Sequence, residues 1–119
     1  VLFRSAHVLD GSIPSFFFHH KEQVPQPMGE NVNYVALDFD KNLPQQLCEF
    51  LYSEQLNSII VEGGQFTLQQ FIDQGLWDEA RIFTGSTAFH QGLLAPKISG
   101  EAKTKQQILS DTLSIVYND

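Results

Sequence analysis

The residues with the most chemical promise are Val61-Glu62-Gly63-Gly64-Gln65-Phe66. A short apolar run, Ser58 to Val61, ends in a carboxylate and two consecutive glycines where a helical pattern begins. A helix N-terminus carries unsatisfied N–H groups and a partial positive charge of roughly half a unit. Glycines in front of it remove the Cβ atoms that would hold a ligand away. Together they make a seat for phosphate that needs neither lysine nor arginine, and a dinucleotide pyrophosphate would suit it. Glu62, at the carboxyl end of a central strand, stands where open α/β sheets bind ligands and could accept hydrogen bonds from a polar substrate. The same residues also fit a tight strand-to-helix turn with no ligand, with the acid stabilised by the helix dipole. V-E-G-G-Q-F is neither G-x-G-x-x-G nor a P-loop, so the pattern alone leaves both readings open.

Other reactive residue types offer less. His19 and His20 are neighbours in a predicted strand, so they point to opposite faces and cannot chelate one metal together. His90 stands isolated in a loop near Ser86 and Thr87, without the acid a triad needs. Asp78 and Glu79 also diverge by adjacency, which argues against paired-carboxylate catalysis. Cys48 is the one cysteine, which excludes an internal disulfide and every zinc pattern built on paired cysteines. Arg81 or Lys97 could help with a phosphate, but a solvated cation is the default reading of each. Trp77 reads as a packing residue at a helix-strand junction. No metal site is expected, and no residue is assigned a catalytic role.

The elements that must position Glu62 and the glycines belong to a chain of 119 residues, 42% hydrophobic, with ten phenylalanines. That suffices for one domain with one modest core. A net charge of −7 repels nucleic acid and acidic membrane surfaces, so an anionic ligand must be caught locally. No apolar run approaches the roughly 20 residues of a membrane span, and the first residues lack the features of a signal peptide. A cytoplasmic location is therefore expected. The chain opens on Val1, which suggests a fragment or a processed piece.

Hydrophobic patterning predicts a buried strand near Ser15 to His19, after the turn dipeptide Asp10-Gly11, then a loop through KEQVPQPMGEN and a second strand in NVNYVALDF. Leu43, Leu47, Phe50 and Leu51 form a helical stripe that should end near Gln55, with Asn42 as N-cap and Pro44 in the first turn. Ser58 to Val61, β-branched and apolar on both faces, reads as a third strand, central in a covered sheet. Phe66, Leu68, Phe71 and Ile72 again show helical spacing, closed by Gly75 at C′. Asp78 to Gly85 is a fourth strand, with Ala80, Ile82 and Thr84 on one face and Arg81 and Phe83 on the other. After a long loop, QQILSDTLSIVYND supplies one or two more strands, broken near Ser110-Asp111. The alternation predicts an α/β fold with a mostly parallel central sheet, flanking helices and an antiparallel C-terminal strand region.

The span from Ser58 to Gly100 resembles the C-terminal part of the reductase domain of bacterial bifunctional riboflavin biosynthesis deaminase-reductases. Val61-Glu62-Gly63-Gly64, Gly75-Leu76 and Asp78-Glu79 match that family's pattern, and Ala95-Pro96-Lys97 with Gly100 is similar to its later loop. Val8 to Phe18 resembles the strand region before this part, and the closing DTLSIVYND the final strand, so the likeness covers nearly all of residues 1–119. Leu9-Asp10-Gly11 has the look of the family's early S-L-D-G motif, but its surroundings fit the later region, and no substrate residue is carried onto it.

The resemblance implies a dihydrofolate-reductase-like fold, with the front part of the domain absent from this sequence. It implies NADPH as cofactor and reduction of the ribosyl group of 5-amino-6-(5-phosphoribosylamino)uracil to a ribityl chain. By position, Glu62 would contact the substrate. Gly63, Gly64, Gln65, Phe66, Thr67, Leu68, Gln69 and Gln70 would lie along the cofactor. A homo-oligomer and an upstream deaminase domain are implied as well, with no nucleic-acid or membrane partner. The deaminase motifs H-x-E and P-C-x-x-C are missing, so no deaminase chemistry belongs to this chain. The alternatives are a non-catalytic oligomerisation or nucleotide-sensing domain of the same fold, or another reductase of that fold.

Overall fold

A computed structural model describes residues 12–26, 30–88 and 90–119. The turn at Asp10-Gly11, the Leu9-Asp10-Gly11 motif and the start of the region from Val8 lie outside these residues. The described chain divides into two compact units, 1–57 and 58–119.

In the first unit, β1 (Ser15–His20) and β2 (Val32–Leu37) pair in parallel, with Phe17 opposite Tyr34 and His20 opposite Leu37. α1 (Leu43–Ser53) follows. Asn42 caps it as expected: its side chain accepts from the Gln45 N–H at 3.1 Å. Pro44 sits in the first turn, where its missing N–H costs nothing. Alternation along β1 sends Phe16 and Phe18 to one face, and both rings pack edge-on against Phe50 of α1, at 5.1 and 5.5 Å between centroids. Leu37 is the buried residue of β2. Gln46 of α1 holds the end of that strand with its carboxamide: Oε1 accepts from the Asp38 N–H at 3.0 Å, and Nε2 donates to the Asp38 carbonyl at 2.8 Å. The helix ends at Ser53 with Glu54 as its C-cap, and Gln55 follows at φ 63° in the position that usually holds glycine.

The second unit contains α2 (Gln65–Asp73) and an antiparallel sheet of β3 (Glu79–Thr84), β4 (Thr104–Ile108) and β5 (Asp111–Tyr117), in the order β3-β5-β4. Phe71 of α2 and Val116 of β5 are its buried apolar residues. Gly75, at φ 64°, ends α2 as the sequence predicts, and its N–H donates to the Ile72 carbonyl. Asn118 ties the chain end back to this corner, donating to the carbonyls of Gly75 and Trp77. The break expected near Ser110-Asp111 is a two-residue hairpin turn, Leu109-Ser110, between Ile108 and its partner Asp111. Leu109 takes φ 53° there.

The α/β class and the antiparallel C-terminal region stand. The expected third strand, Ser58 to Val61, does not form. No described ladder includes it, and Ile60 is 89% exposed. A β-branched apolar run states a preference, but a strand exists only where a neighbour completes its ladder. Parallel pairing is confined to β1 and β2, and the described strands fall into two sheets.

Candidate functional site

Glu62 lies in the extended, irregular segment before α2, with its side chain exposed. It therefore leads into the turn from a coil and not from a strand end. Gly63 and Gly64 follow, and the two glycines differ in what they require. Gly63 has φ 151°, a conformation L-residues rarely adopt, so its backbone demands glycine. Gly64 is the N-cap of α2 at φ −71°, ψ 164°, which any residue can adopt, and a Cβ there would meet nothing within 4 Å. Neither backbone nor packing accounts for glycine at 64.

What Gly64 opens onto is a row of donors. The first intrahelical bond of α2 runs from the Leu68 N–H to the Gly64 carbonyl at 3.3 Å, and Gly64 has no side chain to cap the turn. Among the described residues, the N–H groups of Gln65, Phe66 and Thr67 have no acceptor. Thr67 faces the glycines: a Cβ at Gly63 would lie 3.8 Å from its Oγ1. The first turn contains no acid to neutralise the helix dipole. Three N–H donors, a hydroxyl and an open approach fit a phosphate group. The site is an open surface: Gln65, Phe66 and Thr67 are exposed, Phe66 to 75%.

Deeper along α2 the expected cofactor residues diverge. Leu68 and Gln70 are half-buried and lead to the buried Phe71. Gln69 is engaged within the protein. Its Oε1 accepts from the Lys97 N–H at 2.7 Å, and its Nε2 donates to the Lys97 carbonyl at 3.1 Å and to Asp73 Oδ1 at 2.7 Å. Sequence reasoning did not find this bond set. A carboxamide carries both a donor and an acceptor, so it can satisfy one residue's main chain, but nothing in the order of residues says which one.

Arg81 Nε donates to Glu79 Oε1 at 2.6 Å, and this partner holds the guanidinium pKa above its usual value. His20 accepts from the Glu22 N–H at 3.2 Å and belongs to the first unit, as does half-buried Cys48, whose thiol pKa is raised by burial. His90 is exposed in its loop. No group of three or more metal-ligating side chains occurs among the described residues. A depression of about 440 Å³ formed by residues 99–103 and 117–119 includes none of the residues 62–70, and the Lys103 and Asp119 that line it pair at 2.9 Å.

A family model described as the RibD C-terminal domain matches residues 2–109. Among curated proteins no sequence matches this one. A crystal structure of a protein from Shewanella sp. PV-4, provisionally described as a riboflavin biosynthesis protein, is similar with a TM-score of 0.61 and 21% identity. The match covers 89% of this chain and 60% of that one, so the likeness is one of fold, over about three-fifths of the other chain's length.

Proposed function

Because the chain belongs to the family of the RibD C-terminal domain, we propose that it is part of an NADPH-dependent reductase of riboflavin biosynthesis. The reaction is hydride transfer to the ribose C1 of 5-amino-6-(5-phosphoribosylamino)uracil, giving the ribitylamino compound. Bound NADPH supplies the hydride, and the protein binds, orients and excludes water. The N–H groups of Gln65, Phe66 and Thr67 hold a cofactor phosphate, with the Thr67 hydroxyl beside them. Glu62, just before the turn, accepts hydrogen bonds from the polar substrate. The observation that carries this reading is Gly64, a glycine that neither its backbone nor its packing requires, in front of three N–H donors without acceptors. The same reading makes the protein a homo-oligomer, with a deaminase domain upstream in the full chain.

The test is NADPH oxidation, followed by loss of nicotinamide absorbance with the ribosylaminopyrimidine as substrate, in the protein and in Glu62→Gln. A hydrogen bond to a charged group is worth about 1.5–3 kcal/mol, so kcat/KM for the pyrimidine should fall about 10- to 100-fold. NADPH affinity should not change. NADPH binding without turnover would favour the nucleotide-sensing reading of the same fold.

A further inference from the structure

The sheet of the second unit ends on two unlike edges, β3 and β4. β4 is exposed throughout and carries Lys105, the kind of charge that keeps an edge from pairing. On β3 the two charges, Glu79 and Arg81, are opposite in sign and cancel. In an antiparallel ladder the main chain of successive residues faces one neighbour and then the other. The Asn118 N–H donates to the Asp78 carbonyl, one step beyond the Glu79–Tyr117 pair, so residues 78, 80, 82 and 84 bond towards β5. The main chains of Glu79, Arg81 and Phe83 therefore face outwards, and no main-chain partner among the described residues meets them there. The side chains of these three residues share one face of the strand. Arg81 bonds Glu79 through Nε at 2.6 Å, and its two terminal nitrogens make no hydrogen bond among the described residues. Phe83 is 63% exposed.

We propose that the outer edge of β3 pairs with the same edge of a second copy of this chain, antiparallel about a two-fold axis, joining two three-stranded sheets into one. Only outward-facing residues can bond across such an edge, so 79, 81 and 83 must stand opposite one another's odd-numbered positions. Charge selects among the registers. An axis at Arg81 sets two guanidinium groups directly opposite, and an axis at Glu79 two carboxylates, both unfavourable. An axis at Ile82 leaves Glu79 opposite Gly85, beyond the strand and without a cation. With the axis at Ala80, Glu79 stands opposite Arg81 of the partner subunit and Arg81 opposite the partner's Glu79. The terminal nitrogens that Arg81 leaves unbonded then meet a carboxylate, and four alternating charges close a ring. The same register sets the exposed Phe83 opposite Trp77 of the partner subunit, an aromatic cross-strand pair. Two chains of net charge −7 repel one another, so association needs local complementarity, and this edge is complementary to itself. The inference stands on the second unit alone and not on the reductase reading.

The experiment is sedimentation velocity over a concentration series for the whole chain, for Glu79→Arg, for Arg81→Glu and for an equimolar mixture of the two variants. The wild type should form a reversible dimer. Each variant alone should associate at least about 10-fold more weakly, because like charges then face each other twice across the axis. The mixture should regain association as a heterodimer, which also shows that both variants fold. In a Cys48→Ala background, Ala80→Cys should form an intersubunit disulfide on oxidation and Ile82→Cys should not, because only residue 80 faces its own copy. A wild type that is monomeric throughout, a charge variant that associates as well as the wild type, or a mixture no stronger than its parts overturns the proposal. Cross-linking at 82 in place of 80 overturns the register. NADPH binding by a monomeric wild type would overturn the dimer and leave the reductase reading intact.

Discussion

At the scale of single residues, Gly63 and Gly64 look alike in sequence and play different parts. Gly63 is glycine because φ 151° requires it. Gly64 occupies a conformation open to any residue, and on the proposed reading its small size leaves access to the α2 donors. A serine at 64 would supply the side-chain cap that α2 lacks, and such caps stabilise by about 1 kcal/mol. On the reading proposed above, such a cap would compete with the cofactor phosphate for the same N–H groups. Charge at this scale also has a testable pH dependence. Lys21 donates to Asp38 Oδ2 at 2.7 Å, and this bond is the main cause holding the Asp38 carboxyl below its ordinary pKa of 3.8. A carboxylate with a depressed folded-state pKa stabilises the fold above its unfolded value and loses that contribution as pH falls through the depressed one. Asp38→Asn should therefore melt below the wild type at neutral pH. Thermal scans should converge once the pH is well under 3.8; a constant difference down to the lowest pH would show that the ionised carboxylate contributes nothing.

At the scale of elements, the helices were legible because their signals are local. Asn42, the stripe from Leu43 to Leu51, Gly75 at C′ and the break before Asp111 each report on neighbours a few residues away. Ser58 to Val61 has the composition of a buried strand, but pairing is a property of two segments, and none of the described ladders includes it. The same reason explains the site. The glycine turn and the donors behind it could be inferred from a run of six residues. The bond between Gln69 and Lys97, 28 positions apart, could not. The hairpin makes a further prediction at this level. Leu109 holds φ 53° at the first turn position, where its side chain is 95% exposed and buries little surface to offset the strain of a left-handed conformation. Leu109→Gly, which puts glycine at the one turn position with positive φ, should raise stability by about 1 kcal/mol in urea unfolding. A destabilised variant would mean that the leucine side chain has a packing role.

At the scale of the whole molecule, charge and family point the same way. No helix among the described residues is long and apolar enough to cross a membrane. The net charge of −7 opposes an anion in general, so the proposed reading relies on the oriented N–H groups at the start of α2. Membership in the RibD C-terminal domain family supports the proposal that the anion held there is a nucleotide cofactor. The most direct measurement is a titration of the wild type and Gly64→Val with NADPH, followed by nicotinamide fluorescence, with circular dichroism of both to compare their folds. The account predicts saturable binding by the wild type and its loss in a variant that retains its fold, because the added side chain fills the approach to the α2 donors. Equal affinity in the two proteins, or no saturable binding by the wild type, would contradict it.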